Sequence, residues 1–532
     1  MKRILSLLSV VAIALTLTAC KGDKVNYDGI DTDVVGQIDI LQWGGSNVFM
    51  EDIGHQNYTP EQLTTRNDAS AYYAAKEFNK IYPNVTINLL SKPGGPSWNW
   101  GQELENYKAE NGAHPSIWAA RYLTEDVQKG IVADLSRFED DPLYQTINPT
   151  ILEMMNFHGF QAGLPHYILP WGIYVNKELA EDQNLDVPDY DWTIDEYTDF
   201  VQNSEEDVYY GNNQPAIRLI YTGVNTIAKT MFNYDGSSPH VDLNSNEVRS
   251  LIPYISEWSD DSVSGSEPSP EFVSENGNGW PYAYFTNGKL LTYEYDPWMM
   301  SDCANPDEEA SSRCTSSDWD IYPRPSTDYV DNTIGIVLDP MAVYNYCLED
   351  GDLACSEEEE LKIKISYSFA SFWIASDDSW EARAEGTWIN ETTGAESNSL
   401  SSSLPVTIGD NFETQMELWY STPEHQRFST AAVMPGFHEV LRIYEAGQFW
   451  VVSDKSYPLS VDVEGTTVSN LAEWNGYAYE TEFARGDAGF TDAILGSLAE
   501  WNTLSNERFK ESFLDLEEAL KIYYGYTDED FE

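Results

Sequence analysis

The feature that most constrains this chain is an early run of two short strands with one helix between them. Ile38-Asp39-Ile40-Leu41-Gln42-Trp43 alternates like a strand and stops at Gly44-Gly45-Ser46. Residues 68–81 carry apolar groups at helical spacing, with Asp68 or Ser70 placed to cap the amino end. Tyr82-Pro83-Asn84 turns the chain, and Val85-Thr86-Ile87-Asn88-Leu89-Leu90 reads as a second strand. Strands joined through a single crossover helix lie parallel, so an α/β fold is expected.

The pattern recurs. A helix near 101–110 leads to a short strand around Ser116-Ile117-Trp118, and a helix over 123–130 leads to Val132-Ala133-Asp134-Leu135. Thr193 and Glu196 fit a capping box opening a helix over 193–203. Further helices are expected at 245–258, 359–375, 411–421, 491–502 and 507–523, with polar loops at 259–281, 301–318 and 386–403. No internal repeat is present.

With 89 acidic against 29 basic residues the formal charge is −60, which repels nucleic acid and anionic headgroups and argues against both as partners. The sequence holds 17 Trp and 34 Tyr, many of them needed for the core; the remainder suit stacking on the apolar face of a sugar ring. Besides Cys20, four cysteines fall in two close pairs, Cys303 with Cys314 and Cys347 with Cys355, read as two small disulfide loops, with free thiols the alternative.

Lys2 and Arg3 precede an apolar run from Ile4 to Leu17 that is too short to span a bilayer. It ends in Leu17-Thr18-Ala19-Cys20, which resembles the bacterial lipobox. The resemblance implies a signal peptide over 1–19, lipidation of Cys20, and a mature chain on the outer face of a cell membrane, extracellular or periplasmic, attached by lipid alone. Residues 20–37 then read as a flexible tether.

Several further segments, in order, carry a second resemblance. These are Glu77-Phe78 with Tyr82-Pro83-Asn84-Val85, His114-Pro115-Ser116-Ile117-Trp118 with Gly130-Ile131-Val132-Ala133-Asp134-Leu135, and Gly163-Leu164-Pro165 with Gly172-Ile173-Tyr174-Val175-Asn176-Lys177. Val187-Pro188 to Trp192-Thr193 and Phe285-Thr286-Asn287-Gly288-Lys289 to Asp296-Pro297-Trp298 complete the set. Over residues 38–525 the chain resembles the family 1 extracellular solute-binding proteins that feed carbohydrate ABC importers. The resemblance implies a two-lobed, type II periplasmic-binding-protein-like α/β fold, with the chain crossing between lobes near His166–Trp171, Asp331–Val343 and Leu404-Pro405-Val406. Residues 38–167 plus 335–403 would form lobe 1, and 168–334 plus 404–532 lobe 2. It further implies a monomer without cofactor or catalytic residues, a carbohydrate ligand, and permease subunits as partners; the length of the mature chain and its many aromatic loops suggest an oligosaccharide.

In open α/β sheets ligands sit at the carboxyl ends of strands. That places Trp43, Asn47, Trp118, Arg121 and Tyr122 on one side, Asp296 and Trp298 on the other, and Trp171 and Tyr174 at the crossing. Trp118 and Trp298 match positions where family members stack rings on a sugar, and Asp296, Arg121 and Asn47 suit its hydroxyls. Trp98 and Trp100, beside Gly94-Gly95-Pro96, form a candidate lid, and Tyr477, Tyr479 and Arg485 a candidate rim; Trp373, Trp380, Trp419 and Trp501 sit in helical patterns and read as structural. The competing readings are an exported glycoside hydrolase, which needs two carboxylates flanking the scissile bond, and a carbohydrate-binding surface adhesin. Asp186, Asp189, Asp191 and Asp195 lack the spacing of a calcium loop, the histidines are scattered, and residues 223–230 lack the glycine of a phosphate loop, so no metal or nucleotide site is expected.

Overall fold

The computed structural model describes residues 30–531, apart from 45–46, 94–99, 121–122, 204–207, 210, 212–229, 231, 235, 237–241, 243, 259–269, 277–280, 295–297, 304–317, 349–354, 391–393, 452–460, 464–465 and 469–489. Cys20 and most of the expected tether lie outside them. The folded part starts earlier than expected, because Ile30 is already buried in the core and the first strand opens at Gly36.

The strand–helix–strand reading holds. Gly36–Gly44 pairs in parallel with Val85–Pro93 across nine residue pairs, and the helix between them runs Arg66–Phe78. Its cap is Thr65, not Asp68 or Ser70: the Thr65 hydroxyl accepts the Asp68 backbone N–H at 3.2 Å. The main sheet has seven strands, in the order Phe449–Val451, Ile334–Val343, Ile117–Ala119, Gly36–Gly44, Val85–Pro93 and Val48–Met50, with Leu164–Trp171 also paired to Ile334–Val343. A second, antiparallel sheet holds Trp319–Tyr322, Ile173–Asn176 and Thr292–Tyr293.

Leu164–Trp171 and Ile334–Val343 run antiparallel to each other and extend past the carboxyl ends of the main sheet's other parallel strands. The first leads, after Gly172, straight into the second sheet, and the other returns from it. A third segment lies along them, where Leu404 N–H donates to the Ile168 carbonyl at 2.8 Å and Ile168 N–H donates to the Ser403 hydroxyl at 2.9 Å.

Two expected elements differ. Val132–Leu135 is not a strand: Val132 makes a single bridge to Tyr344, and Asp134 caps a 3-10 turn, Leu135–Phe138, by accepting the Ser136 N–H. A capping carboxylate offers the backbone an alternative to the ladder. The two carboxyl-terminal helices are one, Phe490–Tyr523, which packs against Leu123–Gln128 and Asn246–Trp258. Its end is docked by the Tyr524 hydroxyl on the Val132 carbonyl at 2.7 Å. Gly130 makes that contact possible: its φ is +75°, and a Cβ there would stand 2.6 Å from the Tyr523 ring. Cys347 and Cys355 form the expected disulfide. Cys303 is also disulfide-bonded, while Cys314, expected as its partner, lies outside the described residues.

Trp118 is a correction to the sequence reading. It is fully buried in the middle of the main sheet, and its indole N–H donates to Asp126 at 2.9 Å. A central strand of a parallel sheet is covered on both faces, so ring direction does not follow from its place at the strand end. Tyr174 is likewise core, packed among Phe285, Tyr293 and Trp319 in the second sheet.

Burial pushes the Asp126 carboxyl up to about 7, against the Trp118 bond that favours its ionised form. The fold therefore binds a proton that the unfolded chain has lost, and stability falls as pH rises from about 4 to about 7. Asp126→Asn keeps an acceptor for the indole and is expected to melt higher than wild type at pH 8, with the gap closing near pH 4. Equal melting temperatures at pH 8 would refute a buried, proton-sensitive Asp126. Trp118→Phe leaves Asp126 without its donor and should cost about 1–3 kcal/mol in denaturant titrations.

Candidate functional site

The two crossing strands run on beyond the carboxyl ends of Gly36–Gly44, Val85–Pro93 and Ile117–Ala119, and this edge of the main sheet is where the chain passes toward the second sheet. Trp43 stands there, half-buried, at the end of the first strand. Its carbonyl accepts the Asn67 side-chain N–H at 2.9 Å, and the Asn67 side-chain oxygen accepts the Tyr167 hydroxyl at 2.9 Å. One asparagine thus ties the first strand, the start of the first helix and the crossing strand together. Burial raises the Tyr167 phenol well above its usual range, so it stays neutral and donates.

A local irregularity shapes this edge. In the pairing of the crossing strands Tyr167 faces Asp339 and Pro165 faces Pro340, leaving His166 as an extra residue. Neighbours in a regular strand point to opposite faces, and a bulge relaxes that rule. His166 and Tyr167 accordingly line the same small recess, together with Trp380, Arg383, Ser401 and Ser403. The recess has room for little more than one water molecule. Arg383 is 7% exposed, its Nε donates to the Ser379 carbonyl at 3.3 Å, and its guanidinium lies over the Trp380 ring at 4.5 Å. Its Nη2 is buried with no partner, and burial brings the guanidinium down to about 10.

Trp298 precedes the short helix Met299–Asp302. Its carbonyl accepts the Ser402 hydroxyl at 3.2 Å, while the residue remains 50% exposed. Trp171 is buried instead: its indole donates to the Glu294 carbonyl and packs 6.4 Å from Trp450. Glu294 in turn pairs with Arg324 at 2.8 Å, and Arg324 lies over Trp450 at 5.2 Å. Trp171 therefore braces the crossing and has little surface left for a ligand.

Of the residues expected at the site, Trp43, Asn47 and Trp298 reach solvent, with Asn47 exposed just before Val48–Met50 at the same end of the sheet. Trp118, Trp171 and Tyr174 are buried. Arg121, Tyr122, Asp296, Trp98, Tyr477, Tyr479 and Arg485 lie outside the described residues. Trp100 opens the helix Trp100–Asn111. Sequence reading missed Arg66, Asn67, Tyr167 and Arg383. A usable signal existed for the first two, since Thr65 is a good cap and the residues just after it begin the helix that follows the first strand. Arg383 carried none, because it reaches the recess from Asp377–Glu385, a helix far along the chain.

No protein-family model matches the sequence. No curated protein matches it either. Solved structures do. A periplasmic-binding protein from Synechococcus sp. MITs9220, in complex with zinc, superposes with a TM-score of 0.53 at 11% identity, covering 89% of this chain and 100% of that one. An ABC substrate-binding protein from Listeria monocytogenes, in complex with cycloalternan, gives a TM-score of 0.50 at 15% identity, covering 92% and 100%. At these identities the likeness establishes architecture, and the chain has the two-lobed α/β fold of the periplasmic binding proteins.

Proposed function

We propose that this chain is the capture component of an ABC importer, closing two lobes around a carbohydrate and presenting it to membrane permease subunits. Residues 38–167 plus 335–403 form one lobe in this reading and 168–334 plus 404–532 the other. The observation that carries it is Trp298, half-exposed, with its backbone carbonyl accepting the Ser402 hydroxyl. A sugar ring stacked on such a side chain loses apolar surface from water. The cycloalternan bound by the Listeria protein supports a carbohydrate. The ligand is held without turnover, and it must contact both lobes, since one bound equally in both states shifts nothing. Among the described residues no helix is long and apolar enough to cross a membrane, consistent with attachment through lipid on Cys20.

A thermal-shift screen against mono- and oligosaccharides should find a ligand that raises the melting temperature, and small-angle scattering should show compaction with it; a bound sugar without compaction would favour a rigid adhesin. Trp298→Ala should weaken that sugar by at least about 1 kcal/mol in calorimetry, and unchanged affinity would remove Trp298 from the site. Cys20→Ser should move the protein from the membrane to the soluble fraction of expressing cells.

A further inference from the structure

Arg137, Arg324 and Arg442 pair with carboxylates, whereas Arg383, Arg66 and the exposed Arg249 pair with none among the described residues, and of these three Arg383 is the buried one. In a chain with 89 acidic residues a guanidinium readily finds a carboxylate, as Arg137 does with Glu360 and Arg324 with Glu294. Arg383 has no ion pair with any described residue, although it is 7% exposed and a lone buried charge is costly. Arg66 is half-buried with its Nε unpartnered, its guanidinium 5.9 Å from the Trp388 ring. Both act electrostatically on the Tyr167 phenol, so they flank the same crossing strand. Asp68 is the acidic group near that phenol, and one of its oxygens is engaged by Thr64 at 2.9 Å.

A cation kept buried without a partner is matched by an anion that arrives from outside. The recess is too small for a pyranose ring, so only a small substituent can reach Arg383 while the ring remains in the cleft. We infer that the captured carbohydrate is acidic, with one carboxylate oxygen entering the recess between Arg383 and Ser403 while Arg66, near the same Tyr167, offsets its charge. This rests on the carbohydrate-capture reading and narrows its ligand to uronic-acid sugars. A guanidinium N–H bonds a carboxylate oxygen more strongly than a neutral hydroxyl, because both partners are charged. The chain's net charge of −60 opposes such a ligand at long range, but that field is screened over about 8 Å at physiological salt, whereas a buried pair is not.

The test is calorimetry of the full mature protein with uronic-acid oligosaccharides and their methyl esters, which keep the rings and remove the charge, run beside the neutral sugars of the thermal-shift screen. The acids are expected to bind at least tenfold tighter than their esters. Arg383→Met should lose at least tenfold for the acids, leave the esters within about twofold, and melt no lower than wild type, because it removes an unpaired buried charge. Arg66→Gln, at a half-exposed position, serves as the second variant and should lose severalfold for the acids alone. Equal affinity for acid and ester would overturn the inference, assign the recess to a water molecule and leave carbohydrate capture standing. Failure of every acid, ester and neutral sugar to bind would overturn both.

Discussion

Pairing between Leu164–Trp171 and Ile334–Val343 is the constraint on which everything else rests. These strands belong to the main sheet at one end and lead to the second sheet at the other. Their hydrogen bonds carry the chain from one sheet to the other. Trp171 and Trp450 flank Gly335 at the far end of this pair and lock it by packing. The bulge at Asp339/Pro340 does the opposite at the near end, where proline removes a donor and the register slips. Rigidity and irregularity thus lie a few residues apart on one pair of strands, and the irregular part is where His166 and Tyr167 turn together toward Arg383.

Polar groups around the crossing follow one logic. Asn67 spends its amide on backbone and phenol, which positions the sheet edge before any ligand arrives. The buried Glu294–Arg324 pair does similar work beyond the crossing, next to the segment that leads to Trp298. Arg383 differs from these pairs in that no described carboxylate meets it and its buried Nη2 has no hydrogen-bond partner.

Much of the architecture was legible in sequence. The strand–helix–strand unit, the capping box at Thr193 and Glu196 and the helix ending at Ala375 follow from periodicity and caps, which are local properties, while the strand crossings were implied by the family resemblance. The site was only partly legible. Trp43 and Trp298 reach solvent, whereas Trp118 reads identically in sequence and is wholly buried. A residue's place at a strand end sets which edge it is near, but the layers above and below decide whether its ring meets water.

The sequence by itself determined the α/β class, the parallel core, the export signal's resemblance and the acidity, because each depends on residues within a short window or on composition. Only the tertiary structure decided which aromatics reach solvent, that Asn67 joins three elements, and that Arg383 meets Tyr167 across a large stretch of chain. Those outcomes depend on register and on helix packing between distant segments, where one bulge or one covered face reverses a side chain's surroundings.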